Sequence, residues 1–70
     1  MSAFSEKLLA LRKERKLNQE EAAAACGVAY RSYRRYETGE REPTLSTLIV
    51  LAKFYGVTLD ELAGLRPDSE

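Results

Sequence analysis

The chain has no histidine, and its 70 residues include a single cysteine, Cys26. Without histidine, the commonest general base, the commonest metal ligand and the usual pH switch are missing together. One cysteine excludes an internal disulfide and a cysteine-based zinc site. There is also no phosphate-loop lysine motif and no catalytic triad. Catalysis, a bound metal and a cofactor are therefore not expected. Apolar runs are short, well below the roughly 18 residues that a membrane span requires. The opening MSAFSEKLL lacks the charged-then-apolar layout of a signal peptide. A soluble, cytoplasmic protein is the expectation. Net charge is missing too, since 11 Lys/Arg balance 11 Asp/Glu. There are no internal repeats.

What is present is a globular composition, 44% hydrophobic and 31% charged. Seventy residues allow one domain. A chain this short buries only about 60% of its unfolded surface, which favours a compact set of short helices. Periodicity and capping signals predict five of them, an all-α fold. Phe4, Leu8 and Leu11 recur at helical spacing in a first helix from Ser2 to Lys16, with Ser2 or Ser5 as its cap. Asn18, Glu21 and Gly27 bracket a second helix over about 19–26 by capping box and C-terminal glycine. A third spans 30–38 before Gly39, with Ala29 where a capping side chain belongs. Thr44 caps a fourth helix that ends at Gly56; Leu45, Leu48, Ile49, Leu51, Ala52 and Tyr55 mark it as the central core element. Thr58 and Glu61 open a fifth, stopped by Gly64. The domain is read as residues 1–65 and residues 66–70 as a polar tail.

The third helix carries the discriminating pattern. In YRSYRRYETG, three arginines and three tyrosines fall within seven residues. On a wheel of about 100° per residue, Arg31, Arg34 and Arg35 share an arc of roughly 100°. Tyr30 lies on its margin, Tyr33 and Tyr36 point the other way, and Glu37 sits on the boundary. One face is cationic and free of acid, and the other is aromatic. The join between helices two and three is only Gly27–Val28–Ala29, so the two helices cross steeply through small residues such as Ala23. Arginine bridges guanine O6 and N7 and also grips phosphate. A short helix entered through a tight turn fits the major groove of DNA. The zero net charge hides an asymmetry: residues 1–41 hold nine Lys/Arg and six Asp/Glu, and residues 42–70 hold two and five.

Asn18-Gln19, Ala23, Gly27-Val28, Tyr36-Glu37-x-Gly39 with a proline-containing loop, and the closing GVTLDELAG together resemble the Cro/Xre-type helix-turn-helix proteins. The resemblance runs from about Phe4 to Leu65. It implies a lambda-repressor-like five-helix bundle that binds double-stranded DNA in a bacterial or phage transcriptional regulator. Tyr30, Arg31, Arg34 and Arg35 match the groove-facing, base-contacting positions. Arg31 and Arg35 are the stronger base readers, and Arg34 serves phosphate as readily. Asn18, Gln19, Thr38 and Arg41 match phosphate contacts, and Gln19 also braces the start of the recognition helix. Arg12 and Glu37 match a structural ion pair. A half-site reader of this size implies a homodimer, with Val57, Leu59, Leu62 and Leu65 of the last helix as the candidate surface; intramolecular core is the equal alternative for these residues. The resemblance has departures. Ala29 replaces the usual Ser or Thr cap. Tyr33 stands where the family has an aliphatic residue, and the small Ala22 and Cys26 are expected to make room for its ring. The rival function is a protein-interaction module of the same fold, an antitoxin-like partner with weak or no DNA binding.

Overall fold

Side-chain caps divide the chain into its elements. Ser2, Asn18 and Thr58 each accept the amide of the residue three positions on, and the side chains of Ser5, Glu21 and Glu61 return the bond. In the tightest of these boxes the Glu21 amide donates to Asn18 Oδ1 at 2.7 Å and the Asn18 amide donates to Glu21 Oε1 at 2.9 Å. Each box satisfies two backbone donors that the helix itself leaves unpaired. Thr44 accepts from the Thr47 amide and opens another helix. The chain is described by a computed structural model over residues 2–65, which form α1 (Ala3–Glu14), α2 (Gln19–Cys26), α3 (Tyr30–Thr38), α4 (Leu45–Tyr55) and α5 (Leu59–Ala63). No strand occurs among the described residues. The expected tail, 66–70, lies outside them.

α1 stops two residues earlier than its sequence pattern predicts. Leu17 donates its amide to Arg12 O and Lys16 to Lys13 O, the paired bonds of a Schellman turn. Lys16 takes the left-handed position at φ 58. That conformation costs a residue with a side chain roughly 1–2 kcal/mol. The chain adopts it because Asn18 must already be extended to cap α2, leaving only Arg15 to Leu17 for the reversal. Arg15 consequently leaves the helix and lies over the Phe54 and Tyr55 rings, at 5.4 and 5.6 Å from their centroids. The opposite end of the chain is pinned by close packing. A Cβ at Gly64 would stand 2.5 Å from Ala3 Cβ, so α5 meets the start of α1 through glycine.

The core collects Leu8 and Leu11 of α1, Ala22, Ala23 and Cys26 of α2, Tyr33 and Tyr36 of α3, Leu51, Ala52 and Tyr55 of α4, and Leu62 of α5. Ala22 and Ala23 of α2 are buried in this core. Tyr33 is fully buried in the same cluster as Ala22 and Cys26. Its hydroxyl lies 2.7 Å from that of Tyr55, a pairing that volume alone does not foretell. Burial pushes the pKa of both phenols up, and the same cause raises that of the Cys26 thiol. Cys26 is thus packing, not a reactive thiolate.

Two expectations are corrected here. α4 is one-sided: Leu51, Ala52 and Tyr55 face inward, whereas Leu45 in its first turn is 67% exposed. Leu48 and Phe54 pack partly against the core, and the start of the helix at Leu45 stands clear of it. Leu62 is fully buried within the domain and so is no part of a surface. α5 turns it inward against α1, leaving Leu59 and Leu65 exposed and Val57 partly covered by the core.

Candidate nucleic-acid interface

α3 is held by one face and offers the other. Its inner face is Tyr33, Tyr36 and Glu37, all buried, with the Tyr36 ring edge-on to Phe4 at 6.4 Å. Glu37, 3% exposed, is the hub. Arg12 donates to it twice, from Nε at 2.7 Å and from Nη2 at 3.0 Å. Gln19 Nε2 donates to the same carboxylate at 3.0 Å. Arg12 Nη1 reaches on to the Leu17 carbonyl at 2.9 Å. α1, the turn after it, α2 and α3 are therefore tied at a single carboxylate. The bidentate geometry is the strong form of an arginine–carboxylate pair, and the hydrogen bond that Arg12 donates to Glu37 raises the Arg12 pKa further. The wheel puts Glu37 on the boundary; the fold buries it because Arg12 and Gln19 supply its donors. Gln19 braces the end of α3, not its start. No sequence signal announces that contact, since Gln19 and Glu37 meet only when α2 closes on α3.

The start of α3 lacks a brace. Ala29 is extended and gives no side-chain hydrogen bond to the first turn. Ala29→Ser is expected to raise stability by about 1 kcal/mol, which thermal unfolding would register as roughly 4–8 °C for a domain this small. An unchanged or lower melting temperature would mean that the first-turn amides do not need a cap.

The end of α3 is tightly wound. The amides of Gly39, Glu40 and Arg41 all converge on the Arg35 carbonyl, at 3.0 Å from Glu40 and 3.3 Å from Arg41. Gly39, at φ 83, makes this curl possible. The Thr38 hydroxyl donates to the same carbonyl at 3.1 Å. Arg41 is thereby held directly beneath the helix, exposed.

Arg31, Arg34 and Arg35 are exposed, and with Thr38 and Glu40 they line one open polar depression. Glu40 thus borders the cationic face, which the helix pattern alone shows as free of acid: the curl after Gly39 brings it there. Among the described residues none of the three arginines is ion-paired. Arg34 lies over the Tyr30 ring, 5.6 Å from its centroid. Asn18 is exposed and spends its Oδ1 on capping α2. Gln19 is half-buried and spends one donor on Glu37.

A tight turn joins two helices, the second clamped by its inner face and cationic outside. Within this geometry a family model described as helix-turn-helix matches residues 8–62. The chain belongs to the Cro/Xre-type helix-turn-helix family. The cryptic phage CTXphi transcriptional repressor RstR of Vibrio cholerae is 51% identical over 67 residues, covering 96% of this chain and 58% of that protein. The HTH-type transcriptional regulator YobD of Bacillus subtilis is 37% identical over 67 residues, 96% of this chain and 60% of its own length. Among solved structures, a transcriptional regulator from Listeria innocua superposes with a TM-score of 0.82 at 34% identity, over 93% of this chain and 61% of that one. The chain thus spans about three fifths of the length of these helix-turn-helix relatives. No helix among the described residues is long and apolar enough to cross a membrane.

Proposed function

We propose that this chain binds double-stranded DNA sequence-specifically and acts as a transcriptional regulator by occupancy, with α3 in the major groove. The observation that carries this reading is the exposed, unpaired set of Arg31, Arg34 and Arg35 on a helix whose opposite face is locked into the core. Tyr30, Arg31, Arg34 and Arg35 are assigned to base edges. Asn18, Gln19, Thr38 and Arg41 are assigned to phosphates that fix the register. Gln19 and Asn18 each have amide hydrogens beyond those used internally, and Arg41 is exposed just past the end of α3, its amide bonded to the Arg35 carbonyl. The names of the relatives, repressors and regulators, weigh against the alternative of a protein-interaction module. The role is that of a cytoplasmic binding protein, not a catalyst. Residues 1–65 are taken as the binding unit, in a homodimer that pairs two half-sites. With Leu62 committed to the core, its surface is assigned to Leu59 and Leu65, with the margin of Val57.

Gel shift against random duplex DNA at low salt, followed by selection of bound sequences, tests the proposal. Binding is expected to weaken with salt at a slope of roughly −0.9 per phosphate contact. Arg31→Ala and Arg35→Ala are each expected to relax preference at single base positions by ~1–3 kcal/mol. Uniform weakening across all sequences would make them phosphate contacts. No binding at low salt would contradict the DNA reading itself.

A further inference from the structure

The three arginines of the outer face differ in their surroundings. Arg31 and Arg35 have no side-chain partner among the described residues, whereas Arg34 lies over the Tyr30 ring at 5.6 Å. We propose that Tyr30 is the positioning residue for Arg34, and that the pair reads guanine as a unit. The proposal rests on the reading of α3 as a major-groove helix and adds to it which base Arg34 reads and what orients it.

Residues four apart share a face. Side chains on a helix also lean back toward its N-terminus, so Arg34 extends over the turn that carries Tyr30. Its charge is thereby carried toward the first turn of α3, the part of a recognition helix that meets base edges. An aromatic ring covers a face of the planar guanidinium and leaves the N–H donors at its edge. That fork matches guanine O6 and N7, and no other base carries two acceptors side by side on its major-groove edge. An arginine held against a ring has already lost part of its rotamer freedom, so less is lost on binding. Tyr30 is 42% exposed, which leaves it accessible on the same face. The arrangement moves Arg34, which the sequence alone leaves to phosphate as readily as to bases, to the base edges, and it gives Tyr30 a positioning role in place of a base contact.

The test is selection of bound duplexes with the whole chain and with Tyr30→Phe, Tyr30→Leu and Arg34→Ala. Wild type and Tyr30→Phe, which keeps the ring, are expected to enrich guanine at one shared position. Tyr30→Leu and Arg34→Ala are expected to lose that preference by about tenfold at the same position, leaving other positions and the salt slope unchanged. Replacing that guanine with 7-deazaguanine, which lacks the N7 acceptor, should weaken wild type and Tyr30→Phe and leave Arg34→Ala unaffected. The melting curve of Tyr30→Leu should match wild type, because the ring is outside the core. The proposal is overturned if the two losses fall at different positions, if Tyr30→Leu keeps the guanine preference, or if Arg34→Ala weakens all sequences equally. A wild type that binds no duplex at low salt contradicts the DNA reading instead, a result distinguishable from each of these.

Discussion

Arg12→Ala should lower the melting temperature by about 12–24 °C, the equivalent of roughly 3 kcal/mol. Glu37 would lose two of its three donors while remaining 3% exposed, and the Leu17 carbonyl would lose its partner. Removing one member of a buried pair leaves the other charged and unpaired, which costs ~3–5 kcal/mol. The low end applies because the Arg12 side chain is itself 13% exposed and water can partly replace it. Adding Glu37→Gln to Arg12→Ala removes the stranded charge and should recover part of the loss. Thermal unfolding of the two variants measures both steps. An unchanged curve for Arg12→Ala would mean that the three-helix clamp contributes nothing to stability.

Tyr33→Ala is expected to cost about 3–5 kcal/mol, as for a fully buried aromatic side chain replaced by a methyl group. It also strands the Tyr55 hydroxyl, whose partner lies at 2.7 Å in the wild type. At ~0.05–0.15 kcal/mol per residue a domain of this size holds only about 3.5–10 kcal/mol, so the variant gives up about a third of its stability or more, and its melting temperature should fall accordingly. Tyr33→Phe gives the graded version: the ring stays, the hydroxyl pair is broken, and roughly 1–3 kcal/mol is lost. The pair also sets an alkaline limit. Burial raises the pKa of both phenols, so the folded state keeps protons that the unfolded state releases. Their contribution is intact below the ordinary tyrosine pKa of about 10 and is lost as pH rises above it. Denaturant unfolding between pH 8 and 11 should show a steeper fall for wild type than for Tyr33→Phe. Equal slopes would mean that Tyr33 ionises freely in the folded protein.

Much of this architecture is legible in the sequence because it is local. Asn18–Glu21, Thr58–Glu61 and the glycines at 27, 39, 56 and 64 act within a few residues of themselves, and the helix ends fall where they stand. The two faces of α3 follow from a period of about 3.6 residues. What is less legible depends on closure. The end of α1 needs Lys16 in a conformation that lysine disfavours, which only the demand of the next cap explains. Tyr33 reads as an aromatic on the inner face, but its hydroxyl partner is 22 residues away. Gln19 reads as a first-turn polar residue, and its contact with Glu37 exists only in the assembled bundle. Leu62 and Leu59 are indistinguishable as leucines of one short helix, and packing sends one inward and one outward. At the site, Glu40 joins the arginine face through the backbone curl on the Arg35 carbonyl, and Arg34 is set apart by a ring one turn away.

The central claim is that the exposed face of α3 is the surface that meets DNA. Amide chemical-shift mapping by NMR, with the ¹⁵N-labelled chain titrated against a duplex obtained by selection, tests it most directly. Perturbations are expected to concentrate on Asn18 and Gln19 and from Tyr30 to Arg41, with the arginine side-chain signals of Arg31, Arg34 and Arg35 among the largest. The surface of α4 from Leu45 to Val50 should stay unperturbed. Shifts centred on α4 or α5, with α3 silent, would contradict the account.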